Sequence, residues 1–161
     1  MLNINDLLID VKANQARRPG DNSLLVEEIF LLWYALLEGE DCESFPEADL
    51  AALLYRAAHQ FKTQYAEDAD LNFIVGWAVS ISFWYFDGVF TEEDGPRLLY
   101  TAYKKHPLNK LFRWASSQEI GLSDREIVAL EEAICKDFDQ YYNFGPSIKE
   151  YFMEILSASM K

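Results

Sequence analysis

Few side chains in this sequence of 161 residues are of the types that commonly perform chemistry, apart from its carboxylates. His59 lies in YRAAHQFK with no acid or cysteine three or four positions away, so a helical metal-ligand pair is absent. His106 precedes Pro107 at a predicted helix end, where a cation complements the helix dipole. We therefore expect structural roles for both histidines.

The other candidate chemical motifs are incomplete. Asp68 and Asp70, in DADLN, have the spacing of calcium ligands, but the glycine and the distal glutamate of such a loop are missing. Cys42 and Cys135 form neither a close pair nor a metal motif, and we expect Cys135 to be a small buried side chain, not a nucleophile. Glycine-rich phosphate loops are absent. The sequence predicts no enzyme, no metal site and no cofactor.

Composition indicates a folded and strongly acidic protein. The formal net charge is −13, yet half of the residues are hydrophobic, which excludes a disordered acidic chain. The length predicts one domain over residues 1–161. The two unclustered cysteines and the absence of a basic amino-terminal region predict a reduced, cytoplasmic protein without a secretory signal.

The acids are concentrated in two intervals that contain no base. Nine lie between Arg18 and Arg56, and seven lie between Lys62 and Arg97. Interspersed charges of both signs would keep a surface soluble with less self-repulsion, so this pattern favours an acidic patch for a basic protein partner. A merely solvating surface is the alternative. Direct binding of nucleic acid is disfavoured because phosphates would be repelled.

Helical periodicity and capping signals recur along the chain, and no hairpin signal interrupts them. The candidate caps are Ser23, Ser44 with Glu47, Asp68 or Asp70, Thr91, Ser123 with Glu126, and the Gly145–Pro146 pair. These signals predict an all-α protein of seven to eight helices. We expect a compact antiparallel bundle or a degenerate stack of helical hairpins, because LLYTAYKKHPLNKLFRWA resembles the join between two tetratricopeptide-type hairpins.

LNFIVGWAVSISFWYF, residues 71–86, contains no charge. A bilayer span needs about 20 apolar residues, so we predict a buried central helix and no membrane insertion. Trp77 and Trp84 are seven positions apart, which predicts that both lie on one buried face. Gly76 is the expected point of close contact with another helix.

Alternate loops of an antiparallel stack lie at the same end, so the acidic loops 38–43 and 87–94 are expected to lie together. We expect most aromatic side chains to fill the contacts between helices. The candidates for a few exposed anchors beside these acids are Tyr85, Phe86 and Phe90, with Tyr141, Tyr142 and Phe144 as a second group. The predicted partner-binding residues are Glu38, Glu40, Asp41, Glu43, Asp68, Asp70, Asp87, Phe90, Glu92, Glu93 and Asp94.

DADLNFIVGWAVSISFWYFDG, followed by LLYTAYKKHPLNKLFRWA, resembles the small acidic immunity proteins of bacterial contact-dependent growth inhibition systems. The resemblance covers roughly residues 70–115. It implies a cytosolic inhibitor that binds one cognate toxin, commonly a nuclease with a basic cleft. It assigns no individual functional residue. A helical-repeat adaptor for a cellular protein is the alternative hypothesis.

Overall fold

The computed structural model describes residues 3–39 and 42–161. In this part of the chain the regular secondary structure is entirely helical, without a strand. The nine α-helices found there are α1 (Ile4–Arg17), α2 (Asn22–Glu38), α3 (Glu47–Gln64), α4 (Ala69–Ser82), α5 (Asp94–Lys105), α6 (Lys110–Ala115), α7 (Ser117–Ile120), α8 (Asp124–Lys136) and α9 (Pro146–Ser159). The all-α prediction is confirmed. The count exceeds the expected eight because the segment before Gly121 is divided at Ser116.

Several helix starts agree with the sequence signals. Ser123 and Glu126 form the predicted reciprocal capping box of α8. The Asp68 side chain accepts a hydrogen bond from the Leu71 backbone N–H at 2.9 Å and caps α4. Pro146 is the first residue of α9, where its missing N–H and fixed φ are favourable.

Three predicted caps are wrong. The cap of α2 is Asp21, which accepts hydrogen bonds from both the N–H and the hydroxyl of Ser23. Helix α3 begins after Pro46 without a side-chain cap, so Ser44 has no capping role. At α5 the predicted cap, Thr91, is a hydrogen-bond donor and not an acceptor. Its N–H donates to the Asp94 carboxylate at 2.8 Å.

Helix α2 is the centre of the packing and contacts α1, α3 and α4. Eleven of its residues are buried, including Ile29, Leu32 and Trp33, which is why its sequence is apolar on nearly every face. On the far side of α4 the order continues through α5, α6, α8 and α9. Phe152 of α9 returns to α4, where its ring lies 5.4 Å from that of Phe73 and 5.1 Å from that of Trp77.

Helices α4 and α5 approach each other most closely at two glycines. A Cβ atom on Gly76 would lie 2.8 Å from the Leu99 backbone nitrogen, and one on Gly95 would lie 2.8 Å from the Ser80 nitrogen. Neither position has room for a side chain without a backbone shift. The prediction that Gly76 is a contact point is confirmed.

The prediction of one helix through residue 86 is wrong. Helix α4 ends at Ser82, and Phe83–Phe86 form a 3₁₀ turn. Ser82 leaves the helical region (φ −151°, ψ 64°), and its buried Oγ accepts a 2.6 Å hydrogen bond from Trp33 Nε1. The changed register separates the two indoles, so Trp77 is half-buried whereas Trp84 is 56 % exposed.

Within residues 3–39 and 42–161, no helix combines the length and the apolar character needed to cross a bilayer.

Candidate functional site

Folding supplies partners to some acids of the two base-free intervals. Lys12 of α1 pairs with Glu28, whose carboxylate is buried and also accepts a hydrogen bond from Gln15. Arg18 lies 3.7 Å from Asp21, and Lys105 lies 2.6 Å from Glu67. These bases come from outside the two intervals. Ion pairs formed on folding therefore neutralise part of the acid excess. The acids that remain unpaired are better candidates for binding a partner than the full set.

Seven of the acids left over are exposed; they lie at the end of α2 and in the loop after it, in the first turn of α3, or in the loop before α5. They are Glu38, Glu43, Glu47, Asp49, Asp87, Glu92 and Glu93, and none makes an ion pair with a described residue. We call these seven residues the acidic end. The predicted site residues Glu40 and Asp41 lie outside the described residues.

Two hydrogen bonds attach the segment before Asp87 to α2. The hydroxyl of Tyr85, two residues before Asp87, donates to the carbonyl of Leu36, two residues before Glu38, at 3.0 Å. The Trp33–Ser82 hydrogen bond fixes the preceding turn against the same helix. Further along the loop, Val89 lies beside Lys62 in the last turn of α3, the opposite end of that helix from Glu47 and Asp49. That the loops 38–43 and 87–94 share one end of the stack stays a prediction.

Asp68 and Asp70 lie elsewhere. They stand at the first turn of α4, whose fourteen residues separate them from Ser82 by about 20 Å. Asp68 caps the helix and accepts a hydrogen bond from Asn22. Burial raises the pKa of Asp70, the neighbouring Asp68 raises it further, and His106 opposes the shift. The fold therefore does not bring these two carboxylates to the acidic end.

Asp94 has a structural role next to the acidic end. Burial alone would raise the pKa of its carboxyl group, but hydrogen bonds from the Thr91 N–H and from Arg97 outweigh this effect and lower the pKa. One further base reaches the loop: Lys62 donates to the Val89 carbonyl at 2.9 Å and lies over the Phe90 ring. The acids on either side of Val89 are left without an ion pair.

The predicted aromatic anchors are mostly wrong. Phe86 and Phe90 are only 1 % and 6 % exposed and belong to the core, and Tyr85 is half-buried. Tyr142 is also buried, while Tyr141 and Phe144 are half-buried. Phe83 and Trp84 are exposed, as are Tyr55 and Tyr100. The rings of Phe83 and Trp84 pack edge to face with centroids 5.6 Å apart.

A groove of about 430 Å³ lies between α4, α5 and the α6–α7 segment. Its floor includes the stacked indoles of Trp77 and Trp114, whose centroids are 5.3 Å apart. Ile81, 39 % exposed, lines the groove and precedes Phe83 by two residues. Glu119 lies at the same groove and is exposed. The surface therefore combines apolar area with carboxylates.

A second cleft, of about 570 Å³, lies between α1, α2 and α3 and has a different character. Lys12, Arg18 and Arg56 line it together with Asp21 and the buried Glu28. Lys12 pairs with Glu28 and Arg18 with Asp21, which leaves Arg56 as the lining base without an ion pair to a described residue.

The candidate chemical residues have ordinary surroundings. His59 stacks on Tyr55 at 6.2 Å, and His106 lies 6.4 Å from the Phe112 ring. Burial, with a contribution from Glu131, raises the pKa of the Cys135 thiol, which disfavours the thiolate. Over the described ranges, no group of three or more histidines, cysteines and carboxylates is placed to hold a metal ion.

Sequence reasoning missed the exposed strip of Ile81, Phe83 and Trp84. The available signal was length: the charge-free stretch has sixteen residues, more than the fourteen of α4, and ends at the turn containing Gly88.

The resemblance over residues 70–115 to immunity proteins remains a prediction. Comparison with family models, curated proteins and solved structures gives no match.

Proposed function

We propose that this chain is an immunity-type inhibitor that binds and neutralises a cognate basic toxin, with a nuclease as the leading candidate. The observation that carries the proposal is the acidic end: seven exposed carboxylates from three segments, without an ion pair among the described residues. A merely solvating surface would intersperse bases among these acids.

The proposed mechanism is electrostatic steering followed by occlusion. A nuclease holds the phosphates of its substrate with lysine and arginine, so its cleft attracts a surface with clustered carboxylates. Such a surface raises the association rate and occupies the place of the phosphates. The Tyr85–Leu36 hydrogen bond contributes because it fixes the segment before Asp87 to α2 in the free protein and lowers the ordering cost.

The test of this function is protection in cells. The gene product encoded next to this chain is expressed with and without it, and growth and nucleic-acid integrity are measured. Protection by the wild-type chain, together with a purified complex in which the partner is basic, supports the proposal. Unprotected cells, an acidic partner or the absence of a complex contradict it.

An adaptor for a cellular protein is the second candidate, and the cleft between α1, α2 and α3 is the observation that favours it. Arg56, which makes no ion pair with a described residue, suits a carboxylate of an acidic peptide, the opposite of what suits the acidic end. The two functions are therefore separated by Arg56→Ala. This variant weakens binding of an adaptor's acidic partner and leaves protection against a basic toxin unchanged.

A further inference from the structure

Asp87, in the loop before α5, lies in a turn that the backbone closes. The Val89 N–H donates to the Phe86 carbonyl at 3.0 Å, with Asp87 and Gly88 between them. Gly88 has a φ of 82°, a left-handed conformation that favours glycine. Phe86 and Val89 are buried, so both ends of this turn are fixed in the core while Asp87 is exposed.

Glu92 and Glu93 lie in a second turn, which follows Phe90. The Asp94 N–H donates to the Thr91 carbonyl at 3.1 Å, and the Asp94 carboxylate accepts from the Thr91 N–H at 2.8 Å. These reciprocal hydrogen bonds enclose the two glutamates. Local hydrogen bonds thus order each turn, whereas the placement of one turn relative to the other depends on the residues that join them.

The junction of the two turns, Val89 and Phe90, is held by α3. Lys62, in the last turn of α3, donates from Nζ to the Val89 carbonyl at 2.9 Å. The same ammonium lies 5.4 Å from the centre of the Phe90 ring, and the Phe61 ring lies 6.0 Å from the Phe90 ring. One lysine therefore contacts both residues of the junction.

The Lys62 ammonium has two opposite effects on the proposed interface. It makes no ion pair with a described residue, so it adds a positive charge beside the acids of this loop. That charge weakens the attraction of a basic partner. Its hydrogen bond, in contrast, fixes the loop before binding and reduces the conformational freedom that association removes. Because the two effects differ in sign, an experiment can separate them.

We propose that Lys62 is a positioning residue of the proposed interface: it fixes the junction of the two turns, so that the acids of this loop meet the basic partner in one arrangement. This inference rests on the proposed function. Lys62 acts through the loop, and its effect is expected mainly in the lifetime of the complex, where most differences between variants of one interface arise.

The test compares three variants of the full chain. Lys62→Met keeps an apolar stem over the Phe90 ring and removes the donor and the charge, whereas Lys62→Arg keeps both. Lys136→Met is the matched control, because Lys136 is also in the last turn of a helix, is exposed and makes no ion pair with a described residue. Its net charge equals that of Lys62→Met. Urea unfolding shows whether each variant folds.

Amide hydrogen exchange tests the hold on the loop without a partner. The N–H groups of Val89 and Phe90 both donate to the Phe86 carbonyl at 3.0 Å, so their exchange reports opening of the junction. We expect Lys62→Met to accelerate this exchange about three- to tenfold, because one hydrogen bond to the junction is lost. Lys62→Arg and Lys136→Met should stay within about twofold of wild type. Unchanged exchange in Lys62→Met would overturn the inference.

Binding to the product of the adjacent gene tests the consequence. We expect dissociation about two- to tenfold faster for Lys62→Met, without slower association, and wild-type dissociation for Lys62→Arg. Loss of a positive charge alone would favour a basic partner, so this result would report the placement of the loop. Unchanged dissociation in Lys62→Met, or an equal change in Lys136→Met, would contradict the positioning role. If exchange responds but the wild-type chain does not bind this product, Lys62 still holds the loop and the proposed function fails.

Discussion

The hydroxyl of Tyr85 donates a 3.0 Å hydrogen bond to the carbonyl of Leu36, forty-nine positions earlier in the chain. Leu36 lies in the last turn of α2, and its carbonyl also accepts a 3.4 Å hydrogen bond from the Gly39 N–H. The Tyr85 bond holds the segment before Asp87 against the end of α2, close in sequence to Glu38.

Replacing Tyr85 with phenylalanine removes this hydrogen bond and little else. We expect a loss of about 0.5–1.5 kcal/mol in the free energy of unfolding, the net contribution of one such hydrogen bond, because one of the hydrogen bonds to the Leu36 carbonyl is lost. Urea denaturation measures the loss. Tyr100→Phe is the control, since the Tyr100 hydroxyl makes no hydrogen bond with a described residue, and equal losses in both variants would contradict the assigned role.

Gly76→Ala tests the close approach of α4 and α5. Helix propensity alone predicts a gain of about 1 kcal/mol. The new Cβ would lie 2.8 Å from the Leu99 nitrogen and 3.0 Å from the Gly95 oxygen, both backbone atoms, so we expect a net loss of about 1–3 kcal/mol. Thermal and urea unfolding measure the change. A more stable variant would show that the two helices are further apart.

Asp94→Asn tests the hydrogen bonds at the start of α5. The pKa of Asp94 is lower in the folded than in the unfolded protein, so its ionised form stabilises the fold at neutral pH. That stability is lost as pH falls below the ordinary carboxyl range. We expect the variant to lose about 1 kcal/mol at pH 7, with the difference shrinking toward pH 3. Asp87→Asn, at an exposed acid of the same loop, is expected to change little at either pH.

Asp70→Asn should show the opposite pH dependence. Burial and Asp68 raise the pKa of Asp70 in the folded protein, so ionisation of this carboxyl costs stability as the pH rises above 3.8, the ordinary pKa of an aspartic acid side chain. The asparagine variant lacks that cost. Relative to wild type, its stability should therefore increase between pH 4 and pH 7. Chemical denaturation at several pH values gives the difference, and a constant offset would contradict the assignment.

The helices were predictable from sequence because their signals are local. Asp68 and the Ser123–Glu126 box lie within three residues of the N–H groups that they satisfy. The end of α4 was not predictable, since Ser82 is held by Trp33, which lies forty-nine positions away. The exposure of Trp84 depends on that end point, so the aromatic anchors were assigned to the wrong residues.

The sequence predicts that acids are concentrated in two intervals, but it does not predict which of these acids remain without an ion pair. Clusters of charge are visible in sequence, but the partners Lys12 and Lys105 come from other helices. These long-range pairs remove Glu28 and Glu67 from the excess. The pairing of helices also places Asp70 at the opposite end of α4 from Asp87, a separation that charge counting cannot detect.

The central claim is that the acidic end steers a basic partner to this chain. Its test is the triple variant Asp87→Asn, Glu92→Gln and Glu93→Gln, which leaves the structural Asp94 intact. The control is Asp10→Asn, Glu132→Gln and Glu150→Gln, three exposed acids outside the acidic end with the same change in net charge. Equal thermal stability of the two variants shows that folding is not the cause of any difference.

The decisive measurement is the association rate constant with the product of the adjacent gene, followed by stopped flow from low to high salt. We predict a reduction of roughly three- to tenfold at low salt for the Asp87, Glu92 and Glu93 variant, with a shallower salt dependence. The control variant should stay within about twofold of wild type under the same steering argument. Equal rates and equal salt slopes for both variants, or no association at all, would contradict the claim.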